Sequence, residues 1–317
     1  MNTLWRHSRH RQLPFAGEVV AVTHMLVYAK RFWVLALITS LPPGLGAVDQ
    51  AAIQAAWDAE DFDQVAEMAD AWVDRGGAEA ALGWQWRSRL ALEDDETKDA
   101  VEFAERAVKL MPESAEMHHF LATTYRARME EVSVFSRMRI GGRAREAMER
   151  AYELDPEYLP ALAGMIGFYR NAPAITGGDP DKARPLESRM WALDPIFAAK
   201  SEAAYYRQEE NLAAVRRALS RGLLADPTEP ELTFEFGKLA AETGENLESG
   251  QQHLEAYLAA PPAEPRPHRA EAHWHLGQIH LRRGRSTQAR AAFDAALALA
   301  PALRPAMQDD LDALERW

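Results

Sequence analysis

The chain has no cysteine. Disulfides, thiolate metal sites, a cysteine nucleophile and a lipid-modified cysteine anchor are therefore excluded together. The redox compartment stays open, because a disulfide-free protein is at home on either side of a membrane. Alternating runs of Val, Ile and Thr are scarce, which argues against sheets. Long apolar runs are lacking too. The apolar stretch 32–41 (FWVLALITSL) spans only ~15 Å as a helix, about half the hydrocarbon thickness of a bilayer. The formal net charge is −12, with a pI near 5.4. Phosphate binding needs a concentrated basic surface, so this balance disfavours nucleic acid as a partner. No HExxH, nucleophile elbow, dinucleotide fingerprint or paired-acid constellation occurs. The sequence thus offers no catalytic residue, no metal site and no cofactor site, and reads as a non-enzyme.

What is present favours helix. Alanine, leucine, glutamate and arginine dominate, all good helix formers. With 47% hydrophobic residues, a sizeable core is available. Residues 1–24 are irregular and basic and read as a non-native extension or a disordered segment. From Met25 the order changes. Lys30 and Arg31 precede the apolar stretch, Pro42, Pro43 and Gly44 break it, and Gly44, Gly46 and Ala47 are small. That order is the one an export signal requires, so 25–47 is expected to be a signal peptide starting at Met25 and cleaved before Val48 or Asp49. The expected location is periplasmic or secreted. Two alternatives stand: a retained membrane anchor, and a buried cytosolic segment.

Internal repetition is the strongest signal in the remainder. Residues 270–301 read AEAHWHLGQIHLRRGRSTQARAAFDAALALAP. Leu276 and Gly277 form a Leu-Gly pair, His280 follows, and Ala289, Phe293, Ala296 and Pro301 complete a fixed spacing. This pattern resembles the tetratricopeptide repeat (TPR) family. His280 takes the family's tyrosine place and His273 that of its first aromatic. Small residues at Gly277, Ala289 and Ala296 let two antiparallel helices approach closely while larger ones fill the gaps. Earlier copies end on the same phrase: KLMP before Glu113, ELDP before Glu157, ALDP before Ile196, LADP before Thr228, and finally ALAP. Proline closes one helix and opens the next turn. The expected fold is an all-α, right-handed superhelical solenoid of TPR-like antiparallel helix pairs over 50–317. It has about seven pairs and a C-terminal cap at 303–317, which covers the last apolar face.

Two spacings are long. The first excess lies near 129–145 (MEEVSVFSRMRIGGRAR). Either both helices are lengthened and the apolar residues pack on the neighbouring insertion, or the segment is a basic, amphipathic edge for a partner or membrane surface. The second lies near 171–181 (NAPAITGGDPD) and reads as a structured turn between helices. A phosphate loop does not fit there, since no lysine-serine pair follows and no strand precedes.

The resemblance to the TPR family implies that the first helix of each pair lines a concave face. Carrying its inward positions across gives Gln85 and Arg89, then His119, Thr123 and Arg126, then Arg170 and Asn171. Phe234, Lys238, Trp274, Gln278 and Arg282 follow from the later copies. These residues are expected to bind a protein or peptide partner, with the cations holding an acidic or carboxylate-ended segment and Trp274 and Phe234 as anchors. The opposing reading is that these charges are solvated and paired internally with acids such as Glu93, Glu231, Glu242 and Glu271. His118, His119, His273, His275 and His280 read as core or rim residues rather than metal ligands. Asp309, Asp310 and Asp312 read as a solvated face. The competing overall reading is a membrane-associated structural subunit held by its N-terminal segment or by the 129–145 insertion.

Overall fold

A computed structural model of the chain describes residues 47–260 and 268–316. The readings of 1–24 as an extension and of the segment from Met25 as an export signal lie outside the described residues. The described part is all-α, with no strand among its residues. Seven helix pairs follow in chain order: α1 (Ala47–Asp58) with α2 (Phe62–Arg75), α3 (Gly77–Glu93) with α4 (Thr97–Leu110), and α5 (Ala115–Glu131) with α6 (Val134–Leu154). Then come α7 (Leu159–Asn171) with α8 (Pro180–Leu193), α9 (Pro195–Gln208) with α10 (Leu212–Ala225), and α11 (Pro230–Thr243) with α12 (Leu247–Ala259). The last pair is α13 (Arg269–Arg282) with α14 (Ser286–Leu299), and the short helix α15 (Gln308–Glu315) packs against it. The fold is a solenoid of antiparallel helix pairs with a C-terminal capping helix, the class expected from the repeat.

The recurring phrases mark where second helices stop. α4, α6, α8, α10 and α14 end at Leu110, Leu154, Leu193, Ala225 and Leu299. The aspartates of the phrase then turn the chain: Asp155 accepts from the Glu157 amide and Asp226 from the Thr228 amide. Such bonds, from a carboxylate to the amide two residues on, fold the chain into the tight turn before the next helix. Pro195 departs from the pattern. It is the first residue of α9 itself, and Asp194 both ends α8 and caps α9 through the Ile196 and Phe197 amides. Proline tolerates that position because its missing amide would be unpaired there anyway.

In four of the seven pairs, the turn is set by one left-handed residue. The amides of Asp61, Glu96, Asn211 and Arg285 each reach back five residues, to the carbonyls of Ala56, Ala91, Tyr206 and His280. The residue before each has positive φ: Glu60 at 60°, Asp95 at 59°, Glu210 at 53° and Gly284 at 71°. This is the Schellman helix end, which favours glycine. Three copies place an acid there, at a steric cost of about 1–2 kcal/mol each. Replacing Glu210 with glycine is therefore expected to raise stability by up to about 1 kcal/mol, read as a higher urea midpoint. A lower midpoint would show that the turn is not strained.

Close approach inside a pair is clearest at Gly277, where a Cβ would lie 2.3 Å from the Phe293 ring, and at Gly237, where it would lie 2.3 Å from Leu254. The apolar cores are built from neighbouring pairs. One joins α1–α5, one α4–α8, one α6–α11, one α11–α14, and one α13–α15. Among the described residues no helix is long and apolar enough to cross a membrane.

Candidate functional site

First helices of successive pairs touch one another: α3 meets α5, α5 meets α7, α7 meets α9, and α11 meets α13. No comparable contact joins one second helix to the next among the described residues. The first helices thus share one face from α3 to α9 and from α11 to α13, with ion pairs of Lys200 and Arg207 bridging α9 and α11, and the polar side chains fall into three groups.

The first group is interior. Gln85 donates to Glu116 at 3.4 Å, and the Arg89 guanidinium lies 4.4 Å from the Trp86 ring and 5.8 Å from Phe120. Burial lowers the Arg89 pKa to about 10, against the opposing charge of Glu116. Burial also raises Glu116, against the Gln85 hydrogen bond and the Arg89 charge. His119 meets Tyr158 edge-on at 5.7 Å, and burial, helped by the charge of Arg126, lowers its pKa to about 4. Arg89 Nε, His119 Nδ1 and the Tyr158 hydroxyl have no protein hydrogen-bond partner. Gln85, Arg89 and His119 were expected to line the surface. The structure corrects this: neighbouring first helices come so close that these side chains lie beneath the face. On the same helix α5, Thr123 donates to the Phe120 carbonyl at 2.7 Å, and Arg126 is exposed, though desolvation by its surroundings lowers its pKa against the charge of Glu130.

The second group is paired. Arg170 bonds Glu187 at 2.7 Å and stacks 4.6 Å from the Tyr205 ring, whose hydroxyl donates to Asn171 at 3.0 Å. Between α9 and α11, Lys200 reaches Glu229 and Glu231 at 2.9 and 2.6 Å. Arg207 reaches Glu235 and Glu242 at 3.0 and 2.9 Å. Internal pairing therefore holds for Arg170 and for two cations that the sequence reading missed. Lys200 and Arg207 lie seven apart on one helix, a spacing that places them on one side. That spacing is the signal that would have found them.

The third group lies at the C-terminal end. Phe234 is only 2% exposed and packs on Tyr257, His268 and His275, so it is a core residue and not a surface anchor. Lys238 sits half-buried, 6.0 Å from its ring. Asp310 of the capping helix accepts from Trp274 Nε1 at 2.7 Å and from Gln278 Nε2 at 2.8 Å. Asp310 is thus not a solvated residue. It occupies the polar groups of the last repeat, while Asp309 and Asp312 are exposed. Arg282 is exposed and donates to the Glu242 carbonyl at 3.4 Å. His275 and His280 are buried, and no group of His, Asp and Glu able to hold a metal ion is found among the described residues.

At the first long spacing, α5 and α6 are both extended, to 17 and 21 residues, with only Val132 and Ser133 between them. The apolar residues divide. Ile140 packs on the α5–α6 core, but Phe135 and Met138 stand in water rather than on the neighbouring insertion. The second spacing is a 3-10 turn, Ala174–Thr176, followed by Gly177 at φ 101° and by Asp179, which caps α8.

Residues 270–303, which hold the last helix pair, match the tetratricopeptide repeat family model. No curated protein sequence matches the chain. Among solved structures, the chain is similar to PilW, described as a widely conserved type IV pilus biogenesis factor, at 14% identity and TM-score 0.48 over 73% of this chain and 98% of that one. It is similar to PilF of Pseudomonas aeruginosa at 15% identity and TM-score 0.45, over 74% and 98%. It is also similar to YrrB, a TPR protein with an unusual peptide-binding site, at 14% identity and TM-score 0.35, over 77% and 98%.

Proposed function

We propose that the chain is a non-enzymatic scaffold that binds a protein or peptide partner across the face of its first helices. One observation carries this reading. In a protein of formal charge −12, that face keeps Arg126 and Arg282 exposed and Lys238 half-exposed. A cation bonded to a backbone carbonyl, as Arg282 is, keeps its charge. Such groups suit an acidic segment or a C-terminal carboxylate, which accepts charge-assisted hydrogen bonds. Thr123 and Asn171 add polar contacts beside them. Gln85, Arg89 and His119 would then support the face from below. The order of charge, apolar core and breaker at 25–47 supports a periplasmic setting. N-terminal sequencing of the native protein tests that part, with a mature end near Val48 expected.

The binding test is a charge reversal. Affinity capture from the native host, read by mass spectrometry, is compared for the wild-type chain and the triple variant Arg126→Glu, Lys238→Glu, Arg282→Glu. The expected result is loss of specific partners by tenfold or more, roughly what removing a few charge-assisted bonds does. Circular dichroism should show unchanged helicity. An identical set of captured proteins would remove this face from consideration.

A further inference from the structure

The first three turns of α6 combine exposed apolar side chains with a run of arginines. Between 134 and 145 the sequence carries Arg137, Arg139, Arg143 and Arg145 and no carboxylate, in a chain of net charge −12. In the same stretch Phe135 is 89% and Met138 72% exposed. Ile175, in the turn after α7, is 95% exposed.

These three apolar side chains share one flank. Phe135, Met138, Gly142 and Arg145 follow a 3-4-3 spacing and so occupy one stripe of the helix. The opposite stripe, Ala144, Ala147, Met148 and Ala151, is buried in the core. At the far end of the exposed stripe, the Arg145 guanidinium lies 3.9 Å from where a Cβ of Gly177 would sit. That contact brings the turn holding Ile175 alongside the stripe. Met138 and Phe135 lie ~10 and ~15 Å further along the helix. Arg139 and Arg143 flank them. Arg143 and Arg145 have Glu105 and Glu149 at 3.5 and 3.4 Å, Arg137 donates to the Met129 carbonyl, and among the described residues no partner is seen for Arg139. The flank keeps its positive charge.

We propose that this flank, Phe135, Met138 and Ile175 with Arg137 and Arg139, docks the protein peripherally on an anionic lipid surface. Three exposed apolar side chains projecting separately from two elements offer little shape for a protein partner to match. A lipid interface needs no matching shape, since it takes apolar tips into the acyl boundary and basic groups at the phosphates. Charge complementarity selects anionic lipid: in a chain of net charge −12, Arg137 and Arg139 give this edge a local positive charge that an anionic surface attracts. The inference is independent of partner binding by the inner face.

The test is co-sedimentation of the full chain with phosphatidylcholine vesicles, with and without phosphatidylglycerol. The reference is the variant Phe135→Ser, Met138→Ser, Ile175→Ser in the same full chain, so that any contribution of residues 1–46 is common to both. Wild type is expected to prefer the anionic vesicles, and the triple variant to partition about tenfold less or weaker, in line with the apolar area removed. Arg139→Glu should weaken binding to anionic vesicles only, and added salt should reduce the wild-type preference. Because the replaced side chains are exposed, helicity and melting should not change. Equal binding by wild type and triple variant would overturn the proposal. So would a wild-type chain that ignores anionic vesicles yet captures a protein the triple variant loses.

Discussion

Replacing Phe293 with alanine is expected to destabilise the C-terminal end of the solenoid by about 3–5 kcal/mol, the usual range for a fully buried phenylalanine. Phe293 is 0% exposed and sits among Ala289, Ala296, Met307 and Leu314, with Gly277 facing its ring. The ring joins the last helix pair to the capping helix, so its loss opens a cavity at a junction. Repeat arrays gain stability from each unit and its neighbours. The loss should therefore be local: hydrogen exchange should quicken in α13, α14 and α15 while α3 to α6 keep their protection. Gly277→Ala is the converse, forcing a methyl into the same ring. Phe293→Leu should partly rescue Gly277→Ala, since a smaller side chain leaves room for the added Cβ. Uniform loss of protection along the chain, or a loss of stability below about 1 kcal/mol, would refute the stacked architecture.

The same residues explain why the repeat was legible. Leu276, Gly277, Ala289, Phe293 and Ala296 act through size alone, and size is written in the sequence. The helix ends were legible for a similar reason: proline and aspartate act on their own few residues, so ELDP or LADP means the same thing wherever it occurs. The turns inside the pairs were not legible, because the left-handed residue varies: it is glycine at Gly244 and Gly284 but Glu60, Asp95 or Glu210 in three other pairs. The inner face was legible in direction but not in depth. The family's positions say which way a side chain points, not how near the next helix lies. Where α3 and α5 meet, Gln85, Arg89 and His119 are covered; where α9 meets α11, Lys200 and Arg207 bridge the seam with carboxylates. Asp310 was beyond a local reading altogether. Its partners Trp274 and Gln278 lie more than thirty residues earlier, and only the fold-back of the cap brings them together.

His119 should make stability depend on pH. In the unfolded chain it titrates near 6.5; in the fold it stays neutral down to about 4, because burial and the Arg126 charge oppose its protonation. Between those values the unfolded state binds the extra proton. Stability is then complete above pH 6.5 and falls as acid is added through the window down to 4, by roughly 3 kcal/mol in all. Glu116 works in the opposite sense. Its raised pKa lets the fold take up a proton before the unfolded chain does, so acid returns some stability from that group. His253, His273, His275 and His280 also have lowered pKa values and steepen the loss. A difference measurement isolates His119. Urea unfolding of wild type and His119→Gln, followed from pH 7.5 to 4, should give curves that diverge below 6.5, with the variant losing less. Arg126→Gln should raise the His119 pKa and narrow that divergence, since it removes the neighbouring charge. Parallel curves across the window would mean that the His119 ring is reached by water in the folded protein, and the interior placement of the first group would fall with it.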